Sequence, residues 1–135
     1  MDIKEVNNDK LIEYFNEFIN DEKEETLSKI ANQLKSANFV TPAYVLEGEH
    51  YNFIAFGSES NTFRIPVFSS EEEYNKGYEF LKLDEKDEEY SPLVVSSELF
   101  MALAENDEAF NGIVLDIHSE KYIIAKDIIK LASES

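Results

Sequence analysis

Asp116, His118 and Glu120 are the residues whose types and spacing come nearest to an enzyme site. They alternate near the end of an apolar run, and side chains two residues apart share one face of a strand. With His50, they include the two imidazoles and the carboxylate that a non-haem metal site requires. However, His50 falls in a predicted hairpin loop, and a strand followed by a polar turn produces the same letters. We favour the turn and keep a metal-assisted enzyme as the alternative.

Other catalytic chemistries find little support in the composition. The chain has no cysteine, which excludes disulfides, zinc–thiolate sites and cysteine nucleophiles. Its four glycines are scattered, so no phosphate-binding loop or dinucleotide fingerprint can be assembled. Gly57-Ser58-Glu59 lacks the second glycine of a nucleophile elbow. We therefore expect a protein that is not an enzyme, with no catalytic, metal or cofactor-binding residues and no cofactor.

Two acidic runs, residues 21–25 and 84–89, could be mistaken for calcium loops. Lys86 stands at a ligand position of the second run, and neither run has the glycine that the calcium loop requires. Crowded carboxylates of this kind are typical of solvated faces. We predict that both runs are exposed.

The charge balance restricts the possible partners. The 29 acidic residues exceed the 12 basic ones, the formal net charge is -17, and Arg64 is the only arginine. Nucleic acids and anionic membranes need a basic surface, so both are disfavoured as partners. A basic protein surface remains favourable because long-range attraction would steer it to the chain, and the alternative is that the charge only keeps the protein soluble and monomeric. Candidate aromatic contact residues are Tyr44, Tyr51, Tyr74, Tyr78 and Tyr90.

These observations favour a non-catalytic cytoplasmic protein-interaction domain. A narrower alternative is an acidic inhibitor or immunity-type protein that neutralises a basic nuclease or toxin. The amino terminus has no secretory leader pattern, and no apolar run reaches the roughly 18 residues of a membrane span. The length of 135 residues predicts one domain over 1–135. The oligomeric state is left open.

The amino-terminal part predicts two helices followed by strands. Asn8 can cap a first helix with an apolar stripe, and residues 21–25 open a second helix at its positive end. The stripe of the first helix consists of Leu11, Ile12, Phe15, Phe18 and Ile19. Three strands should then form a meander over residues 43–68, with Pro66 indicating an edge or an interruption in the third.

The carboxyl-terminal part alternates helices and strands. Ser69 or Ser70 can cap a helix that Gly77 weakens slightly, and Ser96 or Ser97 can cap another. The apolar run 113–117 predicts a central strand covered on both faces. The element order ααβββαβαββα indicates an α+β fold, in which an amino-terminal helix pair precedes a mixed five- to six-stranded sheet with helices packed on it.

Three segments resemble the amino-terminal domain of SseB, the bacterial enhanced serine sensitivity protein. They are residues 40–46, residues 63–72 and Gly112–Asp116 followed by 122–124. The middle segment carries a strand ending in Pro-Val-Phe that runs into a Ser-capped acidic helix start. The resemblance spans residues 27–131 and departs at Asp116-Ile117, where that family tends to carry Asn-Pro. It implies an α/β domain without known catalytic residues.

Overall fold

The computed structural model describes residues 1–46, 50–57 and 61–134. Within these residues the chain forms five α-helices, and the two short 3-10 turns are Ile3–Glu5 and Leu83–Glu85. The helices are α1 (Asp9–Asn20), α2 (Glu24–Leu34), α3 (Glu71–Phe80), α4 (Ser97–Asn106) and α5 (Lys126–Glu134). The predicted mixture of helices and strands and the amino-terminal helix pair are confirmed.

Seven strands in the described part of the chain are divided between two sheets. They are β1 (Asn38–Leu46), β2 (His50–Phe53), β3 (Phe56–Gly57), β4 (Phe63–Val67), β5 (Ser91–Ser96), β6 (Phe110–Leu115) and β7 (Tyr122–Ala125). One sheet has the order β2-β1-β5, and the other has the order β3-β4-β6-β7. Val40 and Phe68 exchange two backbone hydrogen bonds, of 3.0 and 2.7 Å, where the sheets meet.

The predicted three-strand meander is divided between the two sheets, so sheets of three and four strands replace the single five- to six-stranded sheet of the prediction. β1 pairs with β2 in the first sheet, whereas β3 pairs with β4 in the second, so the chain changes sheets after β2. The polar breaks that the sequence indicates between these strands are residues 47–50 and 57–61, of which 47–49 and 58–60 lie outside the described residues. β3 pairs only with Phe63 and Arg64, so β6 is the one described strand partner of β4 at Pro66. The missing N–H of proline is therefore accommodated where the ladder is one-sided.

The main core lies between the four-stranded sheet and helices α1, α2, α4 and α5. Leu11 and Phe15 of α1 are buried there, while Ile19 from the predicted stripe is 64% exposed. β6 lies between β4 and β7 with Gly112–Leu115 buried, which confirms the prediction of a central strand. A smaller core under α3 consists of Val6, Val40, Phe68 and Tyr74.

Among the described residues, no helix is both long enough and apolar enough to cross a bilayer.

Candidate functional site

An open cleft of about 520 Å³ lies where the amino-terminal end of α3 meets the turn between β6 and β7. We call it the acidic cleft, because carboxylates dominate the charged groups along its wall. These are Asp9, Glu72, Glu73, Asp116 and Glu120, which face one lysine, Lys76, and the imidazole of His118.

Asp116 anchors the wall of the acidic cleft through buried hydrogen bonds. Its carboxylate accepts one bond from the Ser69 backbone N–H at 2.9 Å and one from the Ser69 hydroxyl at 2.7 Å. Asp116 has a φ of 52°, a left-handed conformation that aspartate tolerates better than most residues. β6 therefore ends at Leu115, and the chain turns.

This turn contradicts the strand geometry expected for Asp116, His118 and Glu120. The Asp116 carbonyl accepts bonds from the N–H groups of Ser119 and Lys121, so the segment folds back on itself. The three side chains line one cleft, yet they do so from a turn and with unequal burial. Asp116 is 3% exposed, whereas Glu120 is exposed. The favoured interpretation of these residues as a turn is confirmed.

Burial changes the acidity of Asp116. Desolvation raises the pKa of its carboxyl, and the two hydrogen bonds from Ser69 oppose that rise because they favour the charged form. The nearby Glu73 carboxylate adds to the rise, while His118 works against it. The proton affinity of Asp116 is thus set by the cleft around it.

One ring nitrogen of His118 is paired with Glu73, and the other has no hydrogen-bond partner among the described residues. Its Nε2 lies 2.6 Å from a Glu73 carboxylate oxygen, its side chain is 7% exposed, and its ring lies 5.7 Å from the Phe68 ring. Nδ1 is buried and has no hydrogen-bond partner among the described residues. Nε2 carries a proton, because the ionised Glu73 carboxylate that faces it can only accept a hydrogen bond.

Ser69 and His118 do not form a catalytic pair of nucleophile and base. Ser69 donates its hydroxyl proton to Asp116, and the imidazole Nε2 is engaged by Glu73, so the two residues do not form the serine–histidine bond of a hydrolase. The network orients carboxylates along the wall of the cleft. It suits the binding of a hydrogen-bond donor that carries positive charge.

The amino-terminal end of α3 positions Glu73. Ser70, one of the two predicted caps, accepts a hydrogen bond from the Glu73 backbone N–H at 3.3 Å, and the other candidate, Ser69, is engaged with Asp116. One turn further on, Gly77 packs against the buried Phe68 ring, and an added Cβ would overlap that ring. The glycine therefore lets α3 approach closely enough for Glu73 to reach His118.

Asn8 joins the amino terminus to this network. It occupies the predicted cap position of α1, but its side chain forms no cap bond there. Its amide instead donates to the backbone carbonyls of Asn38 at 2.8 Å and Ser69 at 2.9 Å. The cap prediction identified the position, and sequence reasoning missed the role of the side chain.

The remaining predicted residues lie away from the cleft. His50 is exposed on β2 of the three-stranded sheet, whereas His118 lies in the turn between β6 and β7. The described residues contain no group of three or more His, Cys, Asp or Glu able to hold a metal. Of the predicted contact tyrosines, Tyr51 is 50% exposed, whereas Tyr74 is buried in the core under α3. Tyr74 is therefore excluded as a contact residue. Both acidic runs, 21–25 and 84–89, are exposed as predicted.

Comparison with known proteins does not assign the chain to a family: no family model, curated protein or solved structure matches it. The resemblance to the SseB amino-terminal domain stays a prediction.

Proposed function

We propose that the chain is a non-catalytic binding protein that recognises a basic protein by taking a Lys or Arg side chain into the acidic cleft. The observation that carries this proposal is the cleft wall, where five carboxylates face a single lysine. The net charge of -17 adds an attractive field for a basic surface. A narrower form is an immunity-type inhibitor whose partner is a basic nuclease or toxin.

The charges at the cleft differ in how free they are to bind. Glu73 is engaged by His118 and Lys76, and Asp116 is engaged by Ser69, so these carboxylates shape the wall. Asp9 and Glu120 are exposed, and so is Glu72, whose pairing with Lys76 at 3.5 Å is itself exposed. Exposed pairs contribute little, so a partner's cation can displace Lys76 at small cost.

The chain's lack of cysteine suits a reducing compartment, and we place the binding protein in the cytoplasm on that basis.

The test is the binding of a short fluorescent peptide rich in Lys and Arg, measured by anisotropy over a salt series. Affinity should fall as salt rises, because a Debye length of about 10 Å at 0.1 M screens exposed charges. Glu72→Gln combined with Glu120→Gln should weaken binding about fivefold or more, corresponding to about 1 kcal/mol.

A matched control separates the cleft from the overall charge. Glu24→Gln combined with Glu89→Gln removes the same charge from one first-turn helix position and one loop position, both exposed and outside the cleft. It should change affinity by less than about twofold. Equal losses in the two double variants, or binding that ignores salt, would contradict the proposal. The narrower form further requires that the native partner be a nuclease or toxin whose activity the chain suppresses.

A further inference from the structure

A second cavity, of about 340 Å³, lies on the face of the four-stranded sheet opposite the main core. Ile65, Ile113 and Ile124 face each other in register and lie in the core. Neighbouring residues on a strand point to opposite faces, so the residues beside them form the other surface. We call this the apolar cavity; its wall includes Phe56, Val114, Ile117, Ile123, Arg64 and Lys121.

The strand register places the apolar wall next to a cation. Phe56 of β3 lies opposite Arg64 of β4, and Val114 of β6 lies opposite Ile123 of β7. Val114 is 4% exposed and Ile123 is 45% exposed, so the wall runs from a buried floor to an open rim. The rim leaves a large apolar side chain in water.

The charges along this cavity are opposite to those of the rest of the chain. Its described lining contains Arg64 and Lys121 and no Asp or Glu, although the chain has 29 acidic residues. The Arg64 Nε donates to the Asn111 carbonyl at 3.3 Å, which leaves the four terminal N–H donors of the guanidinium for other bonds. No described carboxylate forms an ion pair with Arg64 or Lys121.

We propose that the apolar cavity binds a small carboxylate with an apolar tail. The tail would cover Val114, Ile117 and Ile123, and the carboxylate would accept the paired donors of the Arg64 guanidinium, whose planar geometry matches it. Lys121 would add a second positive charge. The volume lies at the low end of small-ligand cavities, which run from roughly 300 to 1,000 Å³.

The field of the whole chain selects the charge of this ligand. A phosphate monoester or a polyanion would bring two or more negative charges toward a molecule of net charge -17, whereas a carboxylate brings one. A cationic ligand would face Arg64 and Lys121 directly. An uncharged apolar ligand would leave the Arg64 guanidinium without an acceptor. A monoanion with an apolar tail therefore suits both the guanidinium and the apolar wall.

Titration of ¹⁵N-labelled protein with octanoate tests this site, with acetate, octanol and octylamine as comparison probes. Octanoate should shift the amide signals of Val114, Ile117 and Ile123, and it should bind at least about tenfold more tightly than the other three. Equal affinity of octylamine or octanol would overturn the proposal, and so would shifts confined to residues outside the cavity.

Charge variants identify the carboxylate contact. Arg64→Gln should weaken octanoate binding about tenfold, and Lys121→Gln about threefold, whereas Lys130→Gln removes an exposed charge from α5 and should have little effect. Arg64→Lys keeps the charge but loses the paired N–H donors of the guanidinium. Its octanoate affinity should therefore lie between that of wild type and that of Arg64→Gln. Unchanged octanoate affinity in both Arg64 variants would overturn the proposal. If Arg64→Gln fails to fold, the octanoate affinity of Lys121→Gln, on the exposed turn, is the deciding measurement, and an unchanged affinity would overturn the proposal.

Discussion

The acidic cleft and the apolar cavity share one turn of the chain but differ in how they are built. Asp116 and His118 from this turn line the cleft, whereas Ile117 and Lys121 line the cavity. Both Asp116 and Lys121 have positive φ, of 52° and 54°. Left-handed residues at each end of this segment let it reverse the chain direction and line two surfaces of opposite charge. A regular strand could also place side chains on two faces, but it could not reverse the chain.

The difference lies in what holds the charged groups. In the cleft, Asp116 and Glu73 belong to a partly buried network, so the groups that shape the wall also stabilise the fold. In the cavity, Arg64 is tied by one bond of 3.3 Å and Lys121 is exposed. Substitutions of the charged residues in the cleft wall should therefore lower the stability of the fold. Substitutions of the charged residues in the cavity should leave it nearly unchanged.

The largest loss of stability is expected for Asp116→Ala. The substitution leaves the buried N–H and hydroxyl of Ser69 without their acceptor, and it places alanine at a left-handed position. These costs add to about 3 kcal/mol of the free energy of unfolding, which urea denaturation would measure. Asp87→Ala on the exposed acidic run is the control and should stay within about 0.5 kcal/mol. A loss as small as that of the control would show that the network does not stabilise the fold.

The pH dependence of Asp116→Asn sharpens the same point. Because the pKa of Asp116 is raised in the folded state, its contribution to stability is fully present below the unfolded pKa of about 4 and is lost as pH rises through the folded pKa. Asparagine does not titrate, and its carbonyl can still accept the Ser69 N–H. The variant should therefore be least stable relative to wild type at acidic pH, and the gap should narrow toward neutral pH. A gap that widens with pH would mean that the folded pKa is lowered.

Gly77→Ala should damage the cleft while sparing the cavity. Alanine favours a helix over glycine by about 1 kcal/mol, but its Cβ would overlap the fully buried Phe68 ring. Overpacking of a core commonly costs about 1 to 3 kcal/mol, and an overlap this close lies at the upper end. After the helix gain is subtracted, we expect a net loss of about 2 kcal/mol and shifted NMR signals for His118. Gly57→Ala is the matched control at the cavity, since no described atom lies within 4 Å of its Cβ. Gly57→Ala should change the free energy of unfolding by less than about 0.5 kcal/mol. A larger loss than that of Gly77→Ala would contradict the expected difference between the cavity and the cleft.

Arg64→Gln is the corresponding test of the cavity. Its Nε bond to Asn111 is long and partly exposed, so its loss should cost at most about 1 kcal/mol. Thermal unfolding without added carboxylate would measure this. A cost equal to that of Asp116→Ala would show that the cavity's cation is as deeply built into the fold as the cleft's anion.

Local patterns in the sequence were enough to predict the parts of the fold that depend on neighbouring residues. The spacing of Leu11 and Phe15 defines the buried face of α1, Ser70 starts α3, and the apolar run 113–115 lies in a central strand. Each of these signals is read within a few positions of the residue concerned, because periodicity and capping are local.

The candidate sites depend on contacts that no local pattern carries. Ser69 and Asp116 are 47 positions apart, and the Asn8 amide reaches Asn38 and Ser69 across 30 and 61 positions. The apolar cavity exists only because β4 and β6 pair in parallel, with a register shift between Phe63 and Ile65. The strand expected to continue through Asp116 ended early because the buried bonds from Ser69 hold its carboxylate inward, which is a tertiary effect.

At neutral pH, the smallest effect is expected for Tyr74→Phe, under α3 beside the cleft. The Tyr74 hydroxyl is buried and has no partner among the described residues, so removing it should change stability by between zero and about 1 kcal/mol in favour of the variant at neutral pH. Burial, with Tyr78 nearby, raises the pKa of Tyr74 to about 12. The contribution of the neutral phenol is therefore fully present below pH 10 and is lost as pH rises through about 12. The advantage of the variant should widen over that range by roughly 2 kcal/mol, measured by urea denaturation. Tyr51→Phe, at an exposed tyrosine on β2, should show no such widening. If both variants respond alike to alkaline pH, the Tyr74 hydroxyl is in contact with solvent, and the core under α3 is less closed than the wall of the cleft beside it.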